Sequence, residues 1–193
     1  MWRYKLMTEG CTWEVRTAYK DEWQDAMAMV WKTFLKYDAV DYTEEGIRQF
    51  QDFITDSTLY RMFLAGSYEV ILAIENQRII GVISVRNGSH ISLLFVDENH
   101  QKKGVGRSLM SYLCNYLLTE AGVSKVTVNA SPYGVDFYHR MGFRDTGLEA
   151  TQGGIRYTPM EFVLYSISGK GECVCVQWII SEAKIFVICC VIR

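Results

Sequence analysis

The sequence predicts a single α/β domain, and three observations carry that prediction. An apolar run at residues 93–96 enters a glycine-punctuated turn that opens directly into a helical pattern. Strand-like and helix-like periodicities alternate between residues 13 and 165. The 193 residues, 49% hydrophobic and 22% charged, are enough to enclose one core and match an ordinary globular composition.

Residues 13–17 read as a first strand. Asp21 is expected to cap a helix running to about residue 37, with Trp23, Met27, Val30, Trp31 and Phe34 on its apolar side. Thr43, followed by Glu44 and Glu45, opens a second helix that carries Ile47, Phe50, Phe53 and Ile54. Residues 70–75 and 79–86 read as strands of a hairpin turning through Asn76, Gln77 and Arg78. Asn87, Gly88 and Ser89 then lead into a strand at 90–96. Val105, Leu109, Leu113 and Leu117 recur every four residues and mark the helix after the glycine turn, with Met110, Tyr112 and Tyr116 widening its stripe. Residues 125–129 alternate as a strand, after which Ser131 and Pro132 start a short helix that Gly142 stops. Residues 142–149 and 155–164 read as a closing antiparallel pair across Gln152, Gly153 and Gly154. With only two prolines in the chain, these elements stay largely unbroken.

The turn at 101–108 has the chemistry of an anion cradle. Gly104 and Gly106 let backbone approach a ligand, and the first N–H groups of the next helix lack internal partners at its positive dipole end. A phosphate or pyrophosphate satisfies them. Two nucleotide templates fail here. The P-loop needs Lys and then Ser or Thr after its second glycine, where Gly106 is followed by Arg107; the dinucleotide fingerprint needs a third glycine that the residues around Met110 do not supply.

What matches is Gln-x-x-Gly-x-Gly at 101–106, and here the chain resembles the Gcn5-related N-acetyltransferase (GNAT) family. In that family this pattern lies between the fourth strand and the following helix and binds the pyrophosphate of acetyl-CoA. A second signature follows about thirty residues on. The run Phe137, Tyr138, His139, Arg140, Met141, Gly142, Phe143 is similar to the family's Tyr-x-x-x-Gly-Phe after strand five. The resemblance covers about residues 13–165 and implies a mixed, mostly antiparallel central sheet, splayed between strands four and five, with helices on both faces. A domain at 13–165 would then follow an N-terminal extension at 1–12 and precede a hydrophobic tail at 166–193.

The resemblance also implies how chemistry is staged: an acetyl-CoA-dependent transfer to a primary amine of a small molecule or peptide, by direct attack and without a metal. The pantetheine arm is expected along strand four at Phe95 and Val96. The cradle comprises Gln101, Lys102, Lys103, Gly104, Val105, Gly106, Arg107 and Ser108, its basic residues meeting phosphate charge. Tyr138 occupies the position whose phenol approaches the coenzyme sulfur, and a phenol with an ordinary pKa near ~10 is still protonated at neutral pH, as an acid for a leaving thiolate must be. Many members carry Asn seven residues before this Tyr; here Ser131 stands in its place, to contact pantetheine or cap the helix. For the base, the residues offer Glu75, Asp97 and His100, or a water chain. The acceptor is expected between the first two helices, where Trp31, Phe34, Tyr37, Asp38, Asp41, Tyr42, Glu44 and Glu45 set carboxylates beside aromatic faces. That mixture suits a cationic amine but equally describes core aromatics with a solvated acidic helix start. The rival of another class is a non-catalytic acyl-CoA-binding sensor on the same fold.

Other classes are disfavoured. A formal net charge of −2 and the lack of a basic stripe with interleaved aromatics argue against nucleic acid. Six cysteines lack zinc-like spacing, since Cys11 and Cys114 stand alone, Cys173 and Cys175 flank one residue, and Cys189 and Cys190 adjoin; incidental thiols in a reducing cytoplasm are the expectation. No charged-then-apolar leader precedes Glu9, so secretion is not expected. In the tail, two apolar runs flank Ser181, Glu182, Ala183 and Lys184. A membrane span would bury those two charges at roughly 2.5–3.5 kcal/mol each. A β-hairpin added to a sheet edge, or exchanged within a homodimer, is expected instead.

Overall fold

A computed structural model describes residues 12–164. The tail at 166–193, nearly all of the N-terminal extension and every cysteine but Cys114 lie outside the described residues.

Strand β1 (Glu14–Thr17) leads to α1 (Trp23–Tyr37), α2 (Glu44–Thr55) and α3 (Ser57–Leu64). Three strands follow, β2 (Glu69–Glu75), β3 (Arg78–Arg86) and β4 (His90–Val96), then α4 (Val105–Thr119), β5 (Lys125–Ala130) and α5 (Val135–Arg140). The short β6 (Arg144–Asp145) and β7 (Ala150–Gln152) precede the long β8 (Ile155–Val163). The sheet runs β1-β2-β3-β4-β5-β8-β6, with β7 also on β8; β4 and β5 are its parallel pair and all other neighbours are antiparallel. The expected fold class is therefore the observed one.

Each face of the sheet closes its own core. Under α4 and α5 lie Ile71, Ile83, Ile91, Val126, Val128 and Met160, joined by Leu109, Leu113 and Leu117 of α4 at 1% exposure or less. Each such leucine contributes about 1.5–3 kcal/mol over its exposed state. Under α1, α2 and α3 lie Val70, Leu72, Val82 and Leu93 with Trp23, Met27, Val30, Ile54 and Leu59.

In β4, Ile91 and Leu93 serve opposite cores although they are two residues apart. The pairing explains this: Val85 faces Ile91 and the adjacent Ser84 faces Leu93, so Ser92 is an extra residue that reverses the alternation. The parallel register with β5 covers only His90↔Thr127 and Ile91↔Val128. Past the bulge, β4 diverges from β5 and leaves a cleft.

Three local expectations need correction, and one helix was not expected. Asp21 does not cap α1: a 3-10 turn at Lys20–Glu22 comes first, because the Glu22 carboxylate binds both Arg16 and the Tyr19 N–H (2.6 Å) and draws the chain into an extra turn. Arg78 belongs to β3, leaving Asn76 and Gln77, both at positive φ, as the two-residue hairpin turn. The closing pair is broken, since β8 spends its length on β5, and only the short β6 and β7 reach it from the 142–149 side and the Gly turn. Helix α3, which the periodicity reading passed over, is capped by Asp56, whose carboxylate accepts the Thr58 N–H at 2.6 Å.

Candidate active site

The cleft is bounded by the free end of β4, the turn into α4, the start of α5 and the end of α1. Phe95 and Val96 are half-buried on the stretch of β4 beyond its register with β5. Phe95 packs toward Phe50 of α2, with ring centroids 5.8 Å apart, while Val96 packs on the α4 side.

Beyond Val96 the chain is bent by a carboxylate cap and two left-handed residues. Asp97 accepts the Asn99 N–H at 3.0 Å, and Lys102 and Gly104 adopt φ of 59° and 101°. Gly104 is the N-cap of α4 and no side chain caps the helix there. The first turn closes with Ser108 N–H donating to the Gly104 carbonyl at 2.9 Å. The N–H groups of Val105, Gly106 and Arg107 precede that bond, and these are the donors that an α-helix leaves without intrahelical acceptors. A Cβ at Gly106 would stand 3.2 Å from the Phe137 ring and 3.7 Å from Val96, so glycine is what lets α4 start this close to both. Val105 is fully buried and anchors the turn, whereas Lys102, Lys103 and Arg107 are exposed around it. Ser108 accepts from the Trp13 indole at 3.4 Å. Gln101 braces the turn: its amide nitrogen donates to the Val96 carbonyl (3.2 Å) and its amide oxygen accepts from the Tyr133 hydroxyl (2.9 Å).

Tyr138 is buried at 6% exposure, its ring against Phe137 and Phe143. Burial first, and the charge of Asp38 second, push its phenol well above the usual range, so it stays protonated. Ser131 does not cap α5 with its side chain; its carbonyl takes the Gly134 and Val135 N–H groups at 2.8 and 3.1 Å, and Gly134 is the N-cap. The Ser131 side chain lies close enough to Asp38 to pull its carboxyl down. Asp38 is 7% exposed, and burial pushes its carboxyl to about 6 against the pull of Ser131, with Asp41 adding to the rise. Tyr37 stacks on Tyr133 at 4.9 Å and fastens the end of α1 to the 131–134 turn.

The three expected base candidates converge on one another. His100 bonds Asp97 through Nδ1 and Glu75 through Nε2, each at 3.0 Å, and the Thr12 hydroxyl also donates to Glu75. The Thr12 hydroxyl and His100 hold Glu75 below the usual carboxylate range. Burial raises Asp97, but His100, the Asn99 N–H and Lys32 outweigh it and leave it low. These carboxylates are committed to local partners and weakly basic.

The aromatic and acidic stretch divides by depth. Phe34 is core, stacked on Phe50 at 4.0 Å and on Trp31 at 5.5 Å. Glu44 and Glu45 are exposed in the first turn of α2, and Asp41 pairs with Arg156 at 3.2 Å. Asp38 alone among these acids is buried at the cleft. As the C-cap of α1 it also opposes the helix macrodipole. Among the described residues, no group of three or more His, Cys, Asp or Glu is placed to hold a metal ion, and no helix is long and apolar enough to cross a membrane. A shallow depression lined by Gln49, Asp52, Phe53, Thr55 and Asp56 shares no residue with the cleft.

Comparison with known proteins agrees with this geometry. The acetyltransferase (GNAT) domain family matches residues 38–164, and the chain belongs to that family, which makes it an acyltransferase. A GCN5-related N-acetyltransferase structure from Rhodopseudomonas palustris is similar at 22% identity and TM-score 0.68, over 80% of this chain and 97% of that one. PaiA N-acetyltransferase from Thermoplasma acidophilum, solved with coenzyme A, is similar at 16% identity and TM-score 0.65, over 78% and 98%. Spermidine N-acetyltransferase from Vibrio cholerae, solved with CoA and spermine, aligns at 14% identity and TM-score 0.56, over 79% and 95%. Among curated proteins no significant match is found.

Proposed function

We propose that the chain transfers the acetyl group of acetyl-CoA to a primary amine of a small molecule or peptide, by direct attack within the β4–β5 cleft. The observation that carries this reading is the left-handed Gly104 at the uncapped start of α4, beside a β4 edge freed from β5, in a chain of the GNAT family. The uncapped N–H groups and positive dipole end of α4 suit a pyrophosphate, with Lys102, Lys103 and Arg107 supplying counter-charge. The β4 edge through Phe95 and Val96 lies outside the register with β5, with the Val96 carbonyl held by Gln101, and is the side along which an amide-bearing arm would run. Fixing both ends of the donor makes attack effectively unimolecular.

Tyr138, held protonated by its surroundings, donates to the thiolate as the C–S bond breaks. The amine class is supported by the acids and aromatic rings at the end of α1, and by neighbours described as N-acetyltransferases, one of them solved with spermine. A reducing cytoplasm is the setting we assign, consistent with Cys114, a free buried thiol pushed up to about 12.

The test is to incubate the protein with acetyl-CoA and a panel of polyamines, amino acids and lysine peptides while thiol release is followed. Amine-dependent release supports the reading. CoA binding without amine-dependent release with any acceptor favours the non-catalytic sensor instead.

A further inference from the structure

The acetyl-transfer reading leaves the proton on the acceptor unassigned. A primary alkyl amine reaches the site as an ammonium, with a free-solution pKa near ~10.4 for a lysine-like amine. It must lose a proton before its lone pair can attack. Glu75, Asp97 and His100 satisfy one another and hold their carboxylates in a weakly basic state. Asp38 differs in place and in partners. It follows α1 as its C-cap, is 7% exposed, and lies within electrostatic reach of Ser131, the residue seven positions before Tyr138, and of Tyr138 itself.

Ser131 and Tyr138 share one corner. A Cβ placed on Gly134 would lie 3.4 Å from both the Ser131 hydroxyl oxygen and the Tyr138 ring. The groups acting electrostatically with Asp38 are Asp41 and Tyr42 from the turn after α1, and Ser131, Tyr133 and Tyr138 from the segment after β5. Asp41 is itself paired with Arg156. The α1 end is locked in place by the Tyr37–Tyr133 stack and by the Asp38 N–H bonding the Phe34 carbonyl at 3.0 Å. A carboxylate at the negative end of a helix, with no cation among the described residues that shift it, favours an arriving ammonium and then its proton.

We propose that Asp38 is the catalytic base of this chain, taking the proton from the acceptor ammonium while Tyr138, on the same side of the cleft, serves the departing thiolate. The proposal rests on the acetyl-transfer reading, and its protons balance. Asp38 takes the first ammonium proton and releases it to water after turnover. The amine nitrogen bonds the thioester carbonyl carbon, the C–S bond breaks, and Tyr138 gives its phenolic proton to sulfur. The second proton lost by the nitrogen restores the Tyr138 phenol. The products are the N-acetyl amide, CoA thiol and one proton.

The raised carboxyl adds a signature: kcat/KM should fall on the acid side with a limb near pH 6. Three full-length proteins are compared over pH 5 to 10 with an amine that the wild type accepts. Asp38→Asn is isosteric and keeps an acceptor oxygen beside Ser131, so a merely structural role survives it. We expect its CoA affinity within threefold of wild type, kcat/KM down by about 100-fold at pH 7 with the acid limb lost, and a gap narrowing to about tenfold at pH 10, where free amine accumulates. Asp38→Glu should keep the limb and recover part of the rate. Wild-type kinetics in Asp38→Asn, with the limb intact, overturns the proposal and leaves acetyl transfer standing. A wild type that transfers acetyl to no amine at any pH overturns both.

Discussion

Tyr138 and Asp38 are two buried groups with opposite duties in the proposed transfer. Burial and the neighbouring Asp38 both disfavour the Tyr138 phenolate, so the phenol keeps its proton across the working pH range, as suits an acid. Replacing Tyr138 with Phe preserves the ring against Phe137 and Phe143 but removes the donor. The expected outcome is a fall in kcat of about 10²-fold with CoA affinity within a few-fold of wild type, read by steady-state kinetics and calorimetric titration. A loss confined to CoA affinity would instead give Tyr138 an orienting role. Both the Tyr138 position and Gln101 were legible in the sequence, because each sits in a short motif with fixed spacing. Asp38 was legible only as one acid among several. What singles it out is burial beside Ser131, a contact between segments 93 residues apart, and local patterning carries no such information.

At the scale of elements, the cradle depends on one backbone conformation and one close approach. Gly104 sits at φ 101°, where an L side chain is strained by about 1–2 kcal/mol, and Gly106 faces the Phe137 ring. Gly104→Asp and Gly106→Asp each add a negative charge to the proposed pyrophosphate site as well as a Cβ. CoA affinity should fall at least about 100-fold in either variant by calorimetry, and unchanged affinity would remove the cradle from the mechanism.

The long elements were read well because their periodicity spans several turns or a whole strand, as in α4 with its leucines at 109, 113 and 117. The failures are short. Helix α3 has eight residues, the turn at Lys20–Glu22 has three, and the interrupted closing strands owe their lengths to competition for β8. The splay itself was expected only through resemblance. The extra residue at Ser92, next to where pairing with β5 ends, leaves no local mark, because a serine between Ile91 and Leu93 fits regular strand alternation equally well.

For the whole molecule, a buried base costs stability. The Asp38 carboxyl is raised to about 6 in the fold, against about 3.9 in an unfolded chain. The folded state therefore holds this proton more tightly than the unfolded state does. The Asp38 contribution to stability rises as pH falls from about 6 to about 4 and is lost above 6, whereas Glu22, Glu75 and Asp97, held low, work the other way. A shift of about two units corresponds to a penalty on the order of 3 kcal/mol at neutral pH. Asp38→Asn removes the charge, so its thermal midpoint should exceed that of wild type by about 5–10 °C at pH 8, the difference closing by pH 4. A variant no more stable than wild type at pH 8 would show that the carboxylate is not strained by its burial. Gain of stability with loss of activity in one substitution is the trade expected of a functional group held in an unfavourable place.

The central claim is that a donor held between the α4 cradle and the β4 edge passes its acetyl group to an amine. The direct measurement is to supply acetyl-CoA bearing an isotopically labelled acetyl group together with the best amine from the panel, then follow both products by mass spectrometry. The expected result is labelled N-acetyl amide and free CoA thiol in equal amounts, both formed about 10²-fold more slowly by Tyr138→Phe. Label recovered only as free acetate, at a rate indifferent to the amine, would contradict it.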